Sequence, residues 1–211
     1  MGQLGDSTNV DRYTPVQVKG VEGEGYLTDI TQISAGDLYT CALKTNGAVY
    51  CWGDNELGEL GDGTTTDRHT PVQVKGVGGE GYLTNVSQIS LGAGHACALK
   101  TDGTVYCWGD NSNGQLGDNT TSTHKYPTPV KGVGGSGYLT DVSQISVGIS
   151  YTCALKTDGT VYCWGGNGSG QLGDNTTINR YTPVQVKGIG GEGYLTDITQ
   201  IRAGSYHACA L

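Results

Sequence analysis

Cys41, Cys97, Cys153 and Cys209 stand 56 residues apart, and the same interval separates Cys51, Cys107 and Cys163 and again Trp52, Trp108 and Trp164. No insertion breaks the register. A fixed period of this length constrains the fold before any local pattern does, because each unit is one supersecondary element that buries its apolar face only by stacking on its neighbours. The segments GQLGDST from Gly2, GELGDGT from Gly58, and GQLGDNT from Gly114 and Gly170 set the frame. They divide one continuous array, residues 1–211, into repeats at about 2–57, 58–113, 114–169 and 170–211. The fourth is 14 residues short, and what it lacks corresponds to Lys44 to Leu57.

Within one period the residues alternate as strands do. His95 to Lys100 and Thr104 to Trp108 flank Thr101, Asp102 and Gly103, a three-residue hairpin loop with glycine where a left-handed residue is wanted. That loop sets Leu99 opposite Val105, Ala98 opposite Tyr106 and Cys97 opposite Cys107. One face then carries Leu99, Val105 and the cysteines, and the other Ala96, Ala98, Tyr106 and Trp108. Both are largely apolar, so the hairpin is expected to be covered on both sides. A third strand is predicted at Thr70 to Lys75, where Pro71 points to a strand start or an edge, and a fourth at Val86 to Leu91. Four strands per unit, held between like neighbours, make a propeller blade.

Composition supports an all-β chain. Glycine supplies 37 of the 211 residues, more than twice the average usage of about 7%, and no stretch between turn signals is long enough for a typical helix. With no phenylalanine, Trp, Tyr, Val, Ile and Leu at fixed phases must form the core. The net charge of −8 disfavours nucleic-acid backbones as partners. No apolar run reaches membrane-spanning length, so membrane insertion is not expected.

The run WGDNxxGxLGD, present from Trp52 and Trp108 and as WGGNGSGQLGD from Trp164, is followed by TP, a hydrophobic strand, a glycine and then YTCALK or HACALK. In this the chain resembles the regulator of chromosome condensation repeat, and its cysteine-bearing form is similar to the bacterial branch of that family. The resemblance covers essentially the whole chain. It implies a β-propeller of four-stranded antiparallel blades, usually seven, whose ring closes by mixing strands from both chain ends in one blade. Fewer than four full units are present, so the expectation is an arc of such a ring. Met1 falls at the place of Leu57, Asn113 and Ser169, and the chain is therefore expected to start inside a repeat, downstream of any targeting signal. At the other end the strand at His207 to Leu211 is expected to leave an open edge, with edge-to-edge self-association as the alternative to an open arc.

Directly opposed positions on an antiparallel hairpin are close enough for a disulfide when the pair is non-hydrogen-bonded. Cys41 with Cys51, Cys97 with Cys107 and Cys153 with Cys163 are the candidate bridges, and Cys209 is left as a free thiol. Buried reduced thiols and a metal site are the alternatives; no C-x-x-C spacing supports the metal. Disulfides would place the chain in an oxidising, extracytoplasmic or secreted setting. His95 and His207 stand two residues before a cysteine, but Tyr39 and Tyr151 occupy the same phase, which favours a packed side chain over a metal ligand. Asp6, Asp62, Asp118 and Asp174 lack the spaced oxygen ligands of a calcium loop and read as turn caps. The sequons at Asn85, Asn119, Asn167 and Asn175 carry little weight in a chain of bacterial type. No cofactor is called for.

Function is expected where near-identical repeats differ. One such zone is the turn before the CALK strand, with Asp37, Leu38, Ile149, Ser150 and Tyr206 as candidate ligand-binding residues. The second is the loop before the TP strand, with Arg68, His69, His124, Lys125, Tyr126, Arg180 and Tyr181. Arg and Tyr are residues that anchor interfaces, and drift in exposed turns is the competing explanation. The leading reading is a non-enzymatic module that binds a protein or cell-surface ligand through one loop face. Guanine-nucleotide exchange on a small GTPase, the activity of the family's eponymous nuclear member, is the alternative; the candidate disulfides, the acidic balance and the lack of a basic chromatin-binding tail stand against it. A propeller lyase or hydrolase is the third, and no Ser-His-Asp set, paired carboxylates or phosphate loop can be assembled for it.

Overall fold

Strands form where each repeat alternates and stop where a glycine takes a conformation closed to other residues. The computed structural model describes residues 1–211. Gly47, Gly103 and Gly159 close the three cysteine-bearing hairpins at φ of +77°, +79° and +80°, the left-handed region expected of that loop.

The first blade holds β1 (Ile30–Ala35), β2 (Tyr39–Lys44), β3 (Val49–Gly53) and β4 (Arg68–Gln73). The second holds β5 (Val86–Leu91), β6 (His95–Lys100), β7 (Val105–Gly109) and β8 (His124–Pro129). The third holds β9 (Val142–Val147), β10 (Tyr151–Lys156), β11 (Val161–Gly165) and β12 (Arg180–Gln185). Each is an antiparallel meander in chain order, and β13 (Ile201–Ala203) with β14 (Ala208–Ala210) forms a two-stranded fourth sheet. The chain is thus all-β, an arc of propeller blades. Blades straddle the sequence frame: the outer strand β4 comes from the second repeat, and β8 and β12 from the third and fourth.

The predicted fourth strand at Val86 to Leu91 is β5, the inner strand of its blade. The predicted third strand at Thr70 to Lys75 is corrected to Arg68–Gln73. A register skip between Cys51 and Gly53 pairs Gly53 with Arg68, so the strand starts two residues early. Pro71 falls within the skipped stretch of this edge strand, where no N–H is called on. Residues 12–17 align with β4 but form no strand.

The inner strands β1, β5, β9 and β13 touch in succession, which places them at the hub. Their glutamines stitch one blade to the next. Gln32 Nε2 donates to the Ile89 carbonyl and Gln32 Oε1 accepts from the Ile89 N–H, both at 2.9 Å, and Gln88 does the same to Ile145. A side-chain amide here supplies the donor and acceptor that a fifth strand would have supplied.

Apolar packing between blades fills the rest. The first interface joins Tyr39, Cys41, Leu43, Val49 and Cys51 of one blade to Ile89, Ala96, Ala98 and Trp108 of the next. The second repeats it with Cys97, Leu99, Val105 and Cys107 against Ile145, Ala154 and Trp164. All three tryptophans are buried. Ala96 stands across the strand from Trp108, and Trp52 and Trp164 are the exceptions, facing Thr40 and Thr152.

Those exceptions follow a rule of two. Tyr39 spans the interface and its hydroxyl donates to the His95 carbonyl, sharing its core with Ala96. The smaller His95 instead meets Thr152, Nε2 to Oγ1 at 3.0 Å. Tyr151 again reaches the His207 carbonyl, beside Ala208. Large residues face alanine and histidine faces threonine, so the repeats alternate as Tyr-Thr and His-Ala.

Candidate functional site

Strand direction brings both variable zones to one end of the blades. The β1–β2 turn and the β3–β4 loop, with their counterparts in the next two blades, all lie where β1 ends and β4 begins. Backbone bonds join them: the N–H of Asp54, Asp110 and Gly166 donates to the carbonyl of Leu38, Gly94 and Ser150, at 3.0, 2.8 and 2.8 Å.

Beneath this face lies a constant scaffold. Asn55, Asn111 and Asn167 are fully buried. Each Oδ1 accepts from the N–H of Leu60, Leu116 or Leu172 at 3.0 Å. Each Nδ2 donates to Asp62, Asp118 or Asp174. Those carboxylates cap the N–H of Thr64, Thr120 and Thr176, as turn-capping residues do. Arg68 and Arg180 close the network as ion pairs, and His124 takes the same place in the second blade, its Nε2 2.8 Å from Asp118 Oδ2. Burial works against ionisation of these aspartates, and the threonine and basic partners outweigh it, holding each below the usual carboxylate range. No three His, Cys, Asp or Glu side chains converge where a metal ion would sit.

The candidates therefore divide. Arg68, His124 and Arg180 are half-buried and tied to the scaffold. His69, Lys125 and Tyr181 are exposed, each beside a glycine of the preceding repeat: Gly2, Gly58 and Gly114. The Tyr126 ring lies half-buried against Gly63 and Gly79. Asp37, Ile149 and Ser205 rim a concavity of 580 Å³ at the hub, floored by Gly36, Gly92, Gly148 and Gly204. Leu38 and Ser150 are half-buried beside it, and Tyr206 is exposed. His95, by contrast, is a packed core residue.

One feature of the face escapes a reading by repeats. The loop of the first blade, residues 54–67, carries Asp54, Glu56, Glu59, Asp62 and Asp67, against Asp110 and Asp118 in the second and Asp174 alone in the third. Glu59 stands where Gln115 and Gln171 stand. Gln115 Nε2 donates to Asp110 Oδ2 at 2.7 Å, whereas a carboxylate at Glu59 has no proton to give Asp54. Burial, aided by Asp54 and Asp110, pushes the Glu59 carboxyl up to about 7, although the Leu57 N–H opposes it. Burial with Asp67 and Glu56 also raises Asp54. The signal was present in the sequence as GELGD among GQLGD.

The opposed cysteines form three disulfides, Cys41–Cys51, Cys97–Cys107 and Cys153–Cys163, each with a Cα separation of 4.1 Å, and Cys209 is free and exposed. The hairpin register that aligns them also places their tryptophans on the opposite face of the strand.

This architecture has known relatives. The model of the RCC1-like domain matches residues 1–211. The chain is similar to the ultraviolet-B receptor UVR8 of Arabidopsis thaliana, 32% identical over 90% of this chain and 41% of that one. It is similar to the human E3 ubiquitin-protein ligase HERC2, 32% identical over 99% of this chain and 4% of the ligase. Among solved structures, Prp20p of Saccharomyces cerevisiae, described with binding properties to Gsp1p and histones, superposes with a TM-score of 0.71 at 18% identity over 87% of this chain and 44% of that one. The chain spans less than half the length of these relatives. The repeat period and the blades agree with a family model that matches residues 1–211: the chain belongs to the RCC1-like domain family.

Proposed function

We propose that the chain is a non-enzymatic interaction module that holds a protein or cell-surface ligand against its loop face. The observation that carries this reading is the division of labour within each loop. The Asn–Asp–Thr network is repeated almost unchanged, while the positions above it change in size and charge from blade to blade: the exposed His69, Lys125 and Tyr181, and the exposed Asp37 with the half-buried Ala93 and Ile149. A rigid base with variable tips suits binding, since loops on a fixed scaffold present side chains at little ordering cost. The acidic first blade favours a partner with a basic surface there, which would speed association more than it would tighten it. Prp20p, described with binding properties to Gsp1p and histones, supports the class of function without naming this chain's partner.

The three disulfides support an extracytoplasmic setting, because cytosolic thiols are kept reduced. A thiol titration of native protein should find Cys209 alone, and reduction should release the remaining six. Free thiols throughout would overturn the exported reading. The binding face is tested by capturing ligands from cell-surface and extracellular extracts on the immobilised chain, with two variants beside it. Replacing Asp37, Lys125 and Tyr181 by Ala should abolish capture, while replacing Tyr82 and Tyr138, exposed tyrosines that bridge Lys75 and Lys131 beyond the far ends of β4 and β8, should leave it intact. The opposite pattern would move the site to that far end.

A further inference from the structure

The two junctions between the complete blades build the same slot on the loop face from matching positions. In each, the loop after the third strand of one blade meets the turn before the second strand of the next. At the first junction a Cβ built on Gly94 would lie 3.3 Å from Leu57 Cδ1, 3.4 Å from Asp110 Cβ and 3.9 Å from Glu59 Oε1. At the second, Asn113, Gln115, Ser150 and Gly166 stand at the phases of Leu57, Glu59, Gly94 and Asp110. A Cβ on Gly166 would lie 3.0 Å from Ser150 Oγ and 3.6 Å from Asn113 Cβ.

The geometry is shared and the chemistry is not. In the second slot both ends of the Gln115 amide are used: Oε1 accepts from the Asn113 N–H at 2.9 Å and Nε2 donates to Asp110 at 2.7 Å. In the first, Glu59 is 3% exposed. Its Oε2 accepts from the Leu57 N–H at 2.9 Å, and no side-chain donor reaches either oxygen. The Trp108 indole N–H donates to the Glu59 carbonyl at 2.7 Å, which fixes the backbone from which this carboxylate projects. Asp54, Glu59 and Asp110 take part in none of the molecule's ion pairs. Arg68 is committed to Asp62, and Lys125, beside Gly58, reaches none of the three. A buried carboxylate short of donors is a standing cost, and a ligand that brings donors removes it.

Two further features identify the ligand. Leu57 is 42% exposed where Asn113 and Ser169 stand in the later repeats, so one wall of the first slot is apolar. Gly94 leaves the slot open where Leu38 and Ser150 carry side chains. An apolar wall leading to carboxylates matches arginine, whose methylene stem lies on apolar surface while its head keeps the charge. These carboxylates do not converge as metal ligands do, whereas the five donors of a planar guanidinium can meet groups too far apart for one ion.

We propose that the slot between Leu57 and Gly94 receives an arginine side chain of the protein ligand, its stem against Leu57 and its guanidinium donating to Glu59 and facing Asp110. This rests on the loop-face reading above and names the chemistry of the partner at that site. Lysine fits less well, because its ammonium is a compact, strongly hydrated point charge.

The probe is Nα-acetyl-arginine methylamide, titrated into the isotope-labelled chain and followed by NMR at pH 8, where the Glu59 carboxyl, raised to about 7, is ionised. The amide signals of Leu57 and Gly94 should shift and saturate, while those of Asn113 and Ser150 in the second slot should not move. The lysine analogue should bind about fivefold more weakly, and the citrulline analogue, similar in shape and uncharged, should not bind. Glu59→Gln, which copies Gln115 and Gln171, should lower affinity about tenfold, and Leu57→Asn, which copies Asn113, about threefold. Equal shifts at both slots, or a titration that Glu59→Gln leaves unchanged, would reduce the effect to diffuse attraction toward an acidic surface and overturn the proposal. The probe reads the slot alone, so this failure is distinct from that of the loop-face reading, which shows instead as unchanged capture by the Asp37, Lys125 and Tyr181 variant.

Discussion

Ile33 and Ile145 occupy the same phase of the same repeat, yet Ile33 is 70% exposed and Ile145 1%. The contrast extends across the first blade's outward face and the internal interfaces. Leu4 is 40% exposed where Leu60, Leu116 and Leu172 are fully buried, and Leu211 is 77% exposed where Leu43, Leu99 and Leu155 are at 4%. In a stacked array burial belongs to the neighbour and not to the residue: an isoleucine contributes to stability only when another blade lies against it. Equal sequences should therefore differ in energetic weight according to position along the arc.

The sharpest test is Trp108→Ala, in the middle of the array. It should cost about 3 to 5 kcal/mol in urea unfolding; a loss under about 1 kcal/mol would show that the interface does not carry the fold. Next comes the isoleucine pair. Ile145→Ala should cost about 2 to 4 kcal/mol and Ile33→Ala less than about 0.5 kcal/mol, and similar losses would mean the outward face is covered in solution.

Acid should act on the interface through His95, whose imidazole burial pushes down to about 4. The unfolded chain takes up this proton at the ordinary value, so stability held above about pH 6.5 drains away as pH falls toward 4, by up to about 3 kcal/mol. The double change His95→Tyr with Thr152→Ala, which copies the Tyr39–Ala96 arrangement, should flatten that limb of a stability–pH curve. The smallest effect lies on the loop face. Glu59 is raised, so its contribution is present below about pH 4.5 and lost as pH rises through 7. Glu59→Gln should raise stability at pH 8 by about 1 to 2 kcal/mol, allowing for partial solvent screening, and change little at pH 4. A gain of equal size at both pH values would assign the effect to packing instead of charge.

Much of the fold was legible because the period left few choices. The hairpin register at Cys97 and Cys107 followed from one loop length, and β5 followed from the alternation of VSQISL. The outer strand was misplaced by two residues because a register skip is a property of paired strands and leaves no mark in either alone. Gln32 and Gln88 looked like polar members of an alternating strand, and nothing local discloses that they reach a backbone 57 residues away. On the loop face, arginine and tyrosine were read by residue type. Their division into scaffold and tip depends on whether an aspartate six residues earlier folds back toward them, as Asp62 does to Arg68.

The alternation of Tyr-Thr and His-Ala repeats sets the unit in which this array can grow or shrink. Removing one repeat, residues 86–141, would join the first blade directly to the third and set Tyr39 against Thr152, two bulky partners that never meet in the native order. Removing two, residues 86–197, would set Tyr39 against Ala208, a match the molecule already uses between Tyr151 and that same alanine. Lengthening or shortening such a chain by recombination is thus expected to succeed in even steps of 112 residues and to fail in odd ones. The interface would then tolerate changes in the array only in pairs of repeats.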